Sequence, residues 1–169
     1  MTRVPSRQLA PDHILTILAD APPRIGALTA RLSPAEARTA PAEGEWSANE
    51  VLAHLRACSD VWGGCIARIV AEDHPTLRAV NPRTWIKKRN YPRLDFGTSL
   101  RAFGRQRAEL LVVLEKLPPE GWSRAAKVTG AGKPLERTVL FYANWLARHE
   151  RRHVDQIEQI VRTLTAPGR

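Results

Sequence analysis

Between Val139 and Leu164 apolar side chains recur at steps of three and four residues: Val139, Tyr142, Leu146, then Ile157, Ile160 and Leu164. That spacing lines one face of an α-helix and obliges the face to pack against other elements. At the centre of the run the stripe positions are His149 and His153, where leucine would ordinarily sit. Histidines four residues apart project from the same face, one turn apart, and can share a metal ion. The chain must therefore fold around a helical core that has imidazoles inside it.

Three further helical patterns precede this one. Pro11-Asp12 opens the first, whose stripe is Ile14, Leu18, Ala21, Ile25, Leu28 and Leu32; Pro22-Pro23 predicts a kink or break near Ala21. Ser33-Pro34-Ala35-Glu36 is a capping box that predicts a short helix, and 41–45 reads as a loop. A second capping box, Ser47-Ala48-Asn49-Glu50, with Trp46 as a staple before it, opens the next long helix. Its stripe, Val51, Leu55, Cys58, Trp62, Cys65 and Ile69, runs to about Val70, and Pro75 marks the end. His54 lies three residues after Val51 and four before Cys58, on the core side. The third helix starts at Thr98 or Ser99 with Leu100, Phe103, Leu110, Leu114 and Leu117 inward, and Arg107 occupies a step where an apolar residue is expected. Pro118-Pro119 stops it, Gly130-Ala131-Gly132 forms a loop, and Pro134 opens the fourth helix. No strand, repeat or low-complexity segment is predicted. The reading is all-α: a four-helix bundle occupying 11–165 as one domain, behind a flexible polar arm, 1–10.

A chain of 169 residues, 43% hydrophobic and 25% charged, suits one globular domain. No apolar run approaches membrane-spanning length and the N-terminus lacks a signal peptide's apolar centre, so a cytoplasmic protein without membrane contact is expected. Cys58 and Cys65 are seven apart on one helix, roughly 10 Å, too far for an intrahelical disulfide; they read as reduced core residues, with Cys58 one turn from His54. The net charge of +9 favours anionic partners without identifying them. The long connection 74–96 interleaves Arg83, Lys87, Lys88, Arg89 and Arg93 with Trp85 and Tyr91, a mixture that can grip phosphates while stacking bases, although no nucleic-acid-binding motif is present.

Three buried imidazoles without partners would each cost about 1–3 kcal/mol, and one shared cation would satisfy His54, His149 and His153 together. Three protein ligands leave coordination positions open, the layout of a catalytic rather than a structural metal site. His13, at a helix start, and His74, before Pro75, read as exposed or capping residues. The letters His149-Glu150-Arg151-Arg152-His153 also match the zincin protease motif, but no histidine follows and no sheet is evident to align a peptide, which disfavours a protease. Three more residues enter as catalytic candidates. Glu150 is a base acting on metal-bound water, a carboxylate supporting a ligand, or a solvated helix-face residue. Arg107 binds a substrate carboxylate in a bidentate fork, pairs with a glutamate at the core edge, or snorkels outward. Tyr142, on the stripe of His149, hydrogen-bonds a ligand or packs in the core.

With these residues in view the chain resembles the DinB/YfiT-like superfamily of bacterial metal-binding four-helix bundles, from about residue 12 to 164. The resemblance is carried by Gly44-Glu45-Trp46-Ser47 leading into Val51-Leu52-Ala53-His54-Leu55, and by His149-Glu150-Arg151-Arg152-His153-Val154-Asp155-Gln156-Ile157. The stretch from Leu117-Pro118 to Trp122 and the glycine-containing loop before the last helix add to it. It implies an up-down-down-up bundle with 74–96 as the crossover, a divalent ion (zinc or nickel) on His54, His149 and His153, and a homodimer. It also implies chemistry on small molecules, in some relatives transfer of a low-molecular-weight thiol as co-substrate. The expected function is thus a metal-dependent enzyme, a thiol S-transferase or related hydrolase. The alternatives are a non-catalytic bundle stabilised by metal and a basic nucleic-acid-binding protein.

Overall fold

The computed structural model describes residues 8–166. The chain forms α1 (Pro11–Thr29), α2 (Pro34–Ala37) and α3 (Ala48–Cys58), which passes through a π turn, Ser59–Gly63, into α4 (Gly64–Ala71). A connection continues with β1 (Thr76–Arg78), α5 (Pro82–Arg89) and a 3₁₀ turn, Tyr91–Arg93; then come α6 (Phe96–Glu115), a second 3₁₀ turn, β2 (Ala125–Thr129), β3 (Leu135–Thr138) and α7 (Val139–Thr165). Four rods, α1, α3–α4, α6 and α7, make the bundle. The expected arm falls mostly on residues 1–7, outside the described residues; Leu9 is tied down, its N–H donating to Asn144 Oδ1 at 3.0 Å. No helix among the described residues is long and apolar enough to cross a membrane.

The core divides into two clusters along the bundle. One joins Ile14 and Leu18 of α1 to Cys58, Ile66 and Ile69, to Leu110 and Leu114 of α6, and to Val139–Ala147 of α7. The other joins Ala21 and Ile25 to Val51, Leu52 and Leu55, Phe103, and Val154, Ile157 and Ile160. The start of α1 and the start of α7 thus share one end of the bundle with the end of α4 and the end of α6. The three histidines lie near the junction of the two clusters.

Both capping boxes form: Ser33 and Ser47 accept from the backbone N–H of Glu36 and Glu50, whose carboxylates return to the serine N–H groups at 2.8 Å. Asp95 caps α6 by accepting from the Thr98 N–H at 2.8 Å, which starts that helix at Phe96, ahead of the expected Thr98.

One expectation is narrowed and three are corrected. Of the kink or break expected at Pro22-Pro23, the break does not occur: α1 is helical from Pro11 to Thr29. Proline removes backbone donors, but the buried stripe Ile14, Leu18, Ala21 and Ile25 spans the interruption and holds both halves on one core. The second stripe does not run straight: an extra residue in the π turn rotates the downstream half of the rod by roughly 100°. Ile66, outside the expected stripe, is consequently buried together with Ile69, whereas Trp62 and Cys65 are only half-buried. Strands are present: β1 pairs in parallel with β2, and β2 antiparallel with β3, in a three-stranded sheet. The β2–β3 hairpin takes up Pro134, so α7 opens at Val139 with Thr138 as its cap.

The connection 74–96 is clamped to the bundle. Asp60, in the π turn, accepts from Trp85 Nε1 at 2.8 Å and from the Tyr91 hydroxyl at 2.6 Å. The Asn49 amide donates to the Pro92 carbonyl at 2.8 Å, and the Arg56 guanidinium lies 4.0 Å over the Tyr91 ring. Arg38 donates to the carbonyls of Pro92, Arg93 and Leu94. Trp85 and Tyr91 thus have polar ends committed to Asp60 rather than presented to solvent.

Candidate metal centre

His54 comes from α3, and His149 and His153 are one turn apart on α7. Their Nε2 atoms converge: that of His149 lies 3.1 Å from that of His54 and 3.1 Å from that of His153. One ring nitrogen from each falls within 4.8 Å of the other two. For comparison, imidazole nitrogens bound tetrahedrally to one zinc ion would be roughly 3.4 Å apart. The Gln156 carbonyl oxygen lies 2.7 Å from His153 Nδ1 and accepts its proton, which leaves the Nε2 lone pair turned inward. His149 Nε2 faces two other nitrogens, and a single proton can bridge only one such gap. A shared cation would satisfy all three, so the residues present fit a divalent ion.

The electrostatics agree with that fit. Burial, then the neighbouring His153 and Arg83, lower the His54 pKa to about 4. Burial, then His153, His54 and Arg152, lower His149 to about 3. His153 is also lowered, chiefly by burial, against the raising effect of its Gln156 hydrogen bond. All three imidazoles are neutral near pH 7, the state in which histidine ligates a metal.

Aromatic rings wall the cluster. Trp145 stacks on His149 with centroids 4.4 Å apart at 23°, and Trp62 meets Trp145 at 3.8 Å. Trp46 meets His54 edge-on at 5.3 Å and lies nearly parallel to His153 at 6.4 Å. Above the histidines a cavity of about 310 Å³ is lined by Trp46, His54, Arg83, His149, Arg152, His153 and Gln156. A larger cavity of about 730 Å³ shares Trp46, His153 and Gln156 and continues along the 41–46 loop toward Gln159 and Thr163.

None of the three residues expected to act on substrate lines the smaller cavity. Glu150 is 0% exposed and Arg107 1%; their side chains pair with each other in the core, and Arg107 also donates to Ser59 Oγ at 2.9 Å. Of the readings open for Arg107, the structure selects the pair with a glutamate. The reason is helical geometry: one residue beyond His149, Glu150 is turned by about 100° to the bundle interior. Burial raises its pKa to about 7, against the lowering effect of Arg107. Tyr142 is buried and hydrogen-bonded to Cys65, two turns from His149, and its hydroxyl pKa is raised by burial and by Cys65. Cys58 Sγ lies 3.6 Å from His54 Nε2 but is not among the converging ligand atoms. Its pKa is raised by burial and by Glu150, which keeps it a thiol. Both cysteines are free.

The sequence reading missed Gln156, Trp145, Arg83 and Arg152 as neighbours of the site. Gln156 sits three residues after His153 and Trp145 four before His149, so helical spacing alone would have found them. Arg83 lies 29 residues from His54 across the crossover, and no local pattern brings it there.

Fold and site together define a four-helix-bundle protein with a three-histidine candidate metal centre at the foot of an open cavity. The sequence profile of the DinB superfamily matches residues 17–157, and the chain belongs to that superfamily. Its fold is similar to that of YfiT from Bacillus subtilis, described as a probable metal-dependent hydrolase with an unusual four-helix bundle topology: TM-score 0.78, 15% identity, 94% of this chain and 91% of that one covered. It is also similar to TT2238, described as a four-helix bundle protein, with TM-score 0.62, 21% identity and coverage of 89% and 99%. No curated protein matches the chain in sequence.

Proposed function

We propose that this protein is a metal-dependent enzyme acting on a small molecule, either a hydrolase or a transferase of low-molecular-weight thiols. The observation that carries the reading is the convergence of three neutral Nε2 atoms on one point at the foot of an open cavity. The resemblance to YfiT, a probable metal-dependent hydrolase, supports it. A bound divalent ion, zinc or nickel, would lower the pKa of a water or thiol at an open position and so supply a hydroxide or thiolate near neutral pH.

The chain's own residues prepare the site. His54, His149 and His153 would hold the ion; Gln156 fixes the tautomer of His153, and Trp145 fixes the plane of His149. Trp46 and Trp62 limit water around the rings. Glu150 is sealed in the core and takes no part as a base at the cavity.

The test is metal content by plasma mass spectrometry on wild type, His54→Ala and His149→Ala, followed by turnover of ester and thiol-acceptor substrates. One ion per chain in wild type, lost with activity in both variants, is expected. A metal-free His54→Ala protein with full activity would overturn the proposal. Metal bound without turnover of any substrate would favour a bundle that the ion merely stabilises.

A further inference from the structure

The cavity above the histidines has two guanidinium groups in its walls and no carboxylate. Arg83 comes from the first turn of α5 and Arg152 from α7, between the two histidines of that helix. Neither side chain has an acidic partner among the described residues, whereas Arg24, Arg68, Arg107 and Arg162 each form an ion pair. Arg83 is not carried by a loose arm. Asn81 caps its helix by accepting from the Arg83 N–H at 2.9 Å, and Asp60 pins that helix through Trp85. Two unpaired cations facing a centre that would itself hold a divalent cation repel one another unless an anion is shared between them.

Resting on the metal-enzyme reading above, we propose that the substrate is a small anion. Its carboxylate or phosphate group is held by Arg83 and Arg152, beside the atom that reacts at the histidine centre. Guanidinium groups match both oxyanions through paired N–H donors, which a lysine ammonium does not. Trp46 offers an apolar wall next to them, and the larger adjoining cavity accommodates the rest of the molecule. The two arginines bind and orient the substrate and leave the three metal ligands untouched.

The test is isothermal titration calorimetry of zinc-incubated protein with acetate, with its neutral analogue acetamide, and with inorganic phosphate. Wild type is compared with Arg83→Gln, Arg152→Gln and the double variant, with zinc content measured on each sample. Expected are binding of acetate or phosphate but not acetamide, about tenfold weaker binding in each single variant, and unchanged zinc. The stronger of acetate and phosphate identifies the substrate's anionic group. Anion affinity equal in wild type and double variant would overturn the proposal, as would equal binding of acetate and acetamide. Zinc absent from wild type would sink the metal reading instead, while the difference between wild type and double variant would still decide the role of the arginines.

Discussion

Arg107 and Glu150 form an ion pair closed off inside the bundle, joining α6 to α7 directly behind the histidine that precedes Glu150 in sequence. Ser59 of the π turn is the third member, accepting from Arg107. The pair therefore ties three of the four rods together at the level of the candidate metal centre. It also explains why an inward arginine and a glutamate inside a metal-site motif are compatible with a core.

Breaking this pair leaves one charge buried without its partner, a change that costs about 3–5 kcal/mol. Arg107→Met and Glu150→Gln are each expected to lower stability in urea denaturation, Arg107→Met by about that amount. The double variant Arg107→Met, Glu150→Met should recover most of the loss, because no unpaired charge remains. A double variant as unstable as the sum of the singles would show that the pair is not coupled.

Zinc or nickel should stabilise the folded chain by mass action, by about 2.7 kcal/mol at a hundredfold excess over Kd. Differential scanning calorimetry of wild type with and without added metal should show the rise in Tm. His54→Ala and His149→Ala should lose it. A metal-dependent rise that survives in both variants would place the ion elsewhere.

Gln156 orients His153, so its loss should be felt at the metal although it touches none. Gln156→Leu is expected to weaken zinc binding about 10–100-fold in a competitive chelator titration, the usual effect of removing a partner behind a ligand. Gln156→Glu keeps an acceptor for the His153 Nδ1–H and should stay near wild type. Equal affinity in wild type and Gln156→Leu would remove this role.

Asp60 holds the crossover through Trp85 and Tyr91 and also accepts from Gln106 Nε2. Asp60→Ala should destabilise the chain by roughly 1–3 kcal/mol, the cost of stranding partly buried donors. Limited proteolysis should then cut within residues 82–93 before the bundle, while zinc content stays unchanged because no metal ligand is moved. Resistance of that stretch equal to wild type would show that the other clamps suffice.

The legible part of the site was the part written at helical spacing. His149 and His153 occupy stripe positions of α7, His54 a core position of α3, and the structure brings all three together. The inward setting of Arg107 was legible too, since it fills an apolar step and is buried. A glutamate partner was among the readings, but which glutamate was not legible, because Glu150 comes from another helix. For Arg107 and Tyr142 the spacing left a core role and a substrate role open, and both side chains are in the core; Glu150, whose solvated and site-facing readings were open, is turned into the core by helical rotation.

Apolar period, caps and proline positions by themselves determined four helical rods and three inward imidazoles, because these depend on interactions within a few residues along one helix. Only the tertiary structure decided the rest. The π turn rotates the rod so that Ile66 is buried in place of Trp62 and Cys65, β1 finds β2 some fifty residues away, and Arg83 is carried to the rim of the cavity by a crossover anchored on Asp60. Those outcomes depend on contacts between segments distant in sequence, whose energies no local pattern encodes.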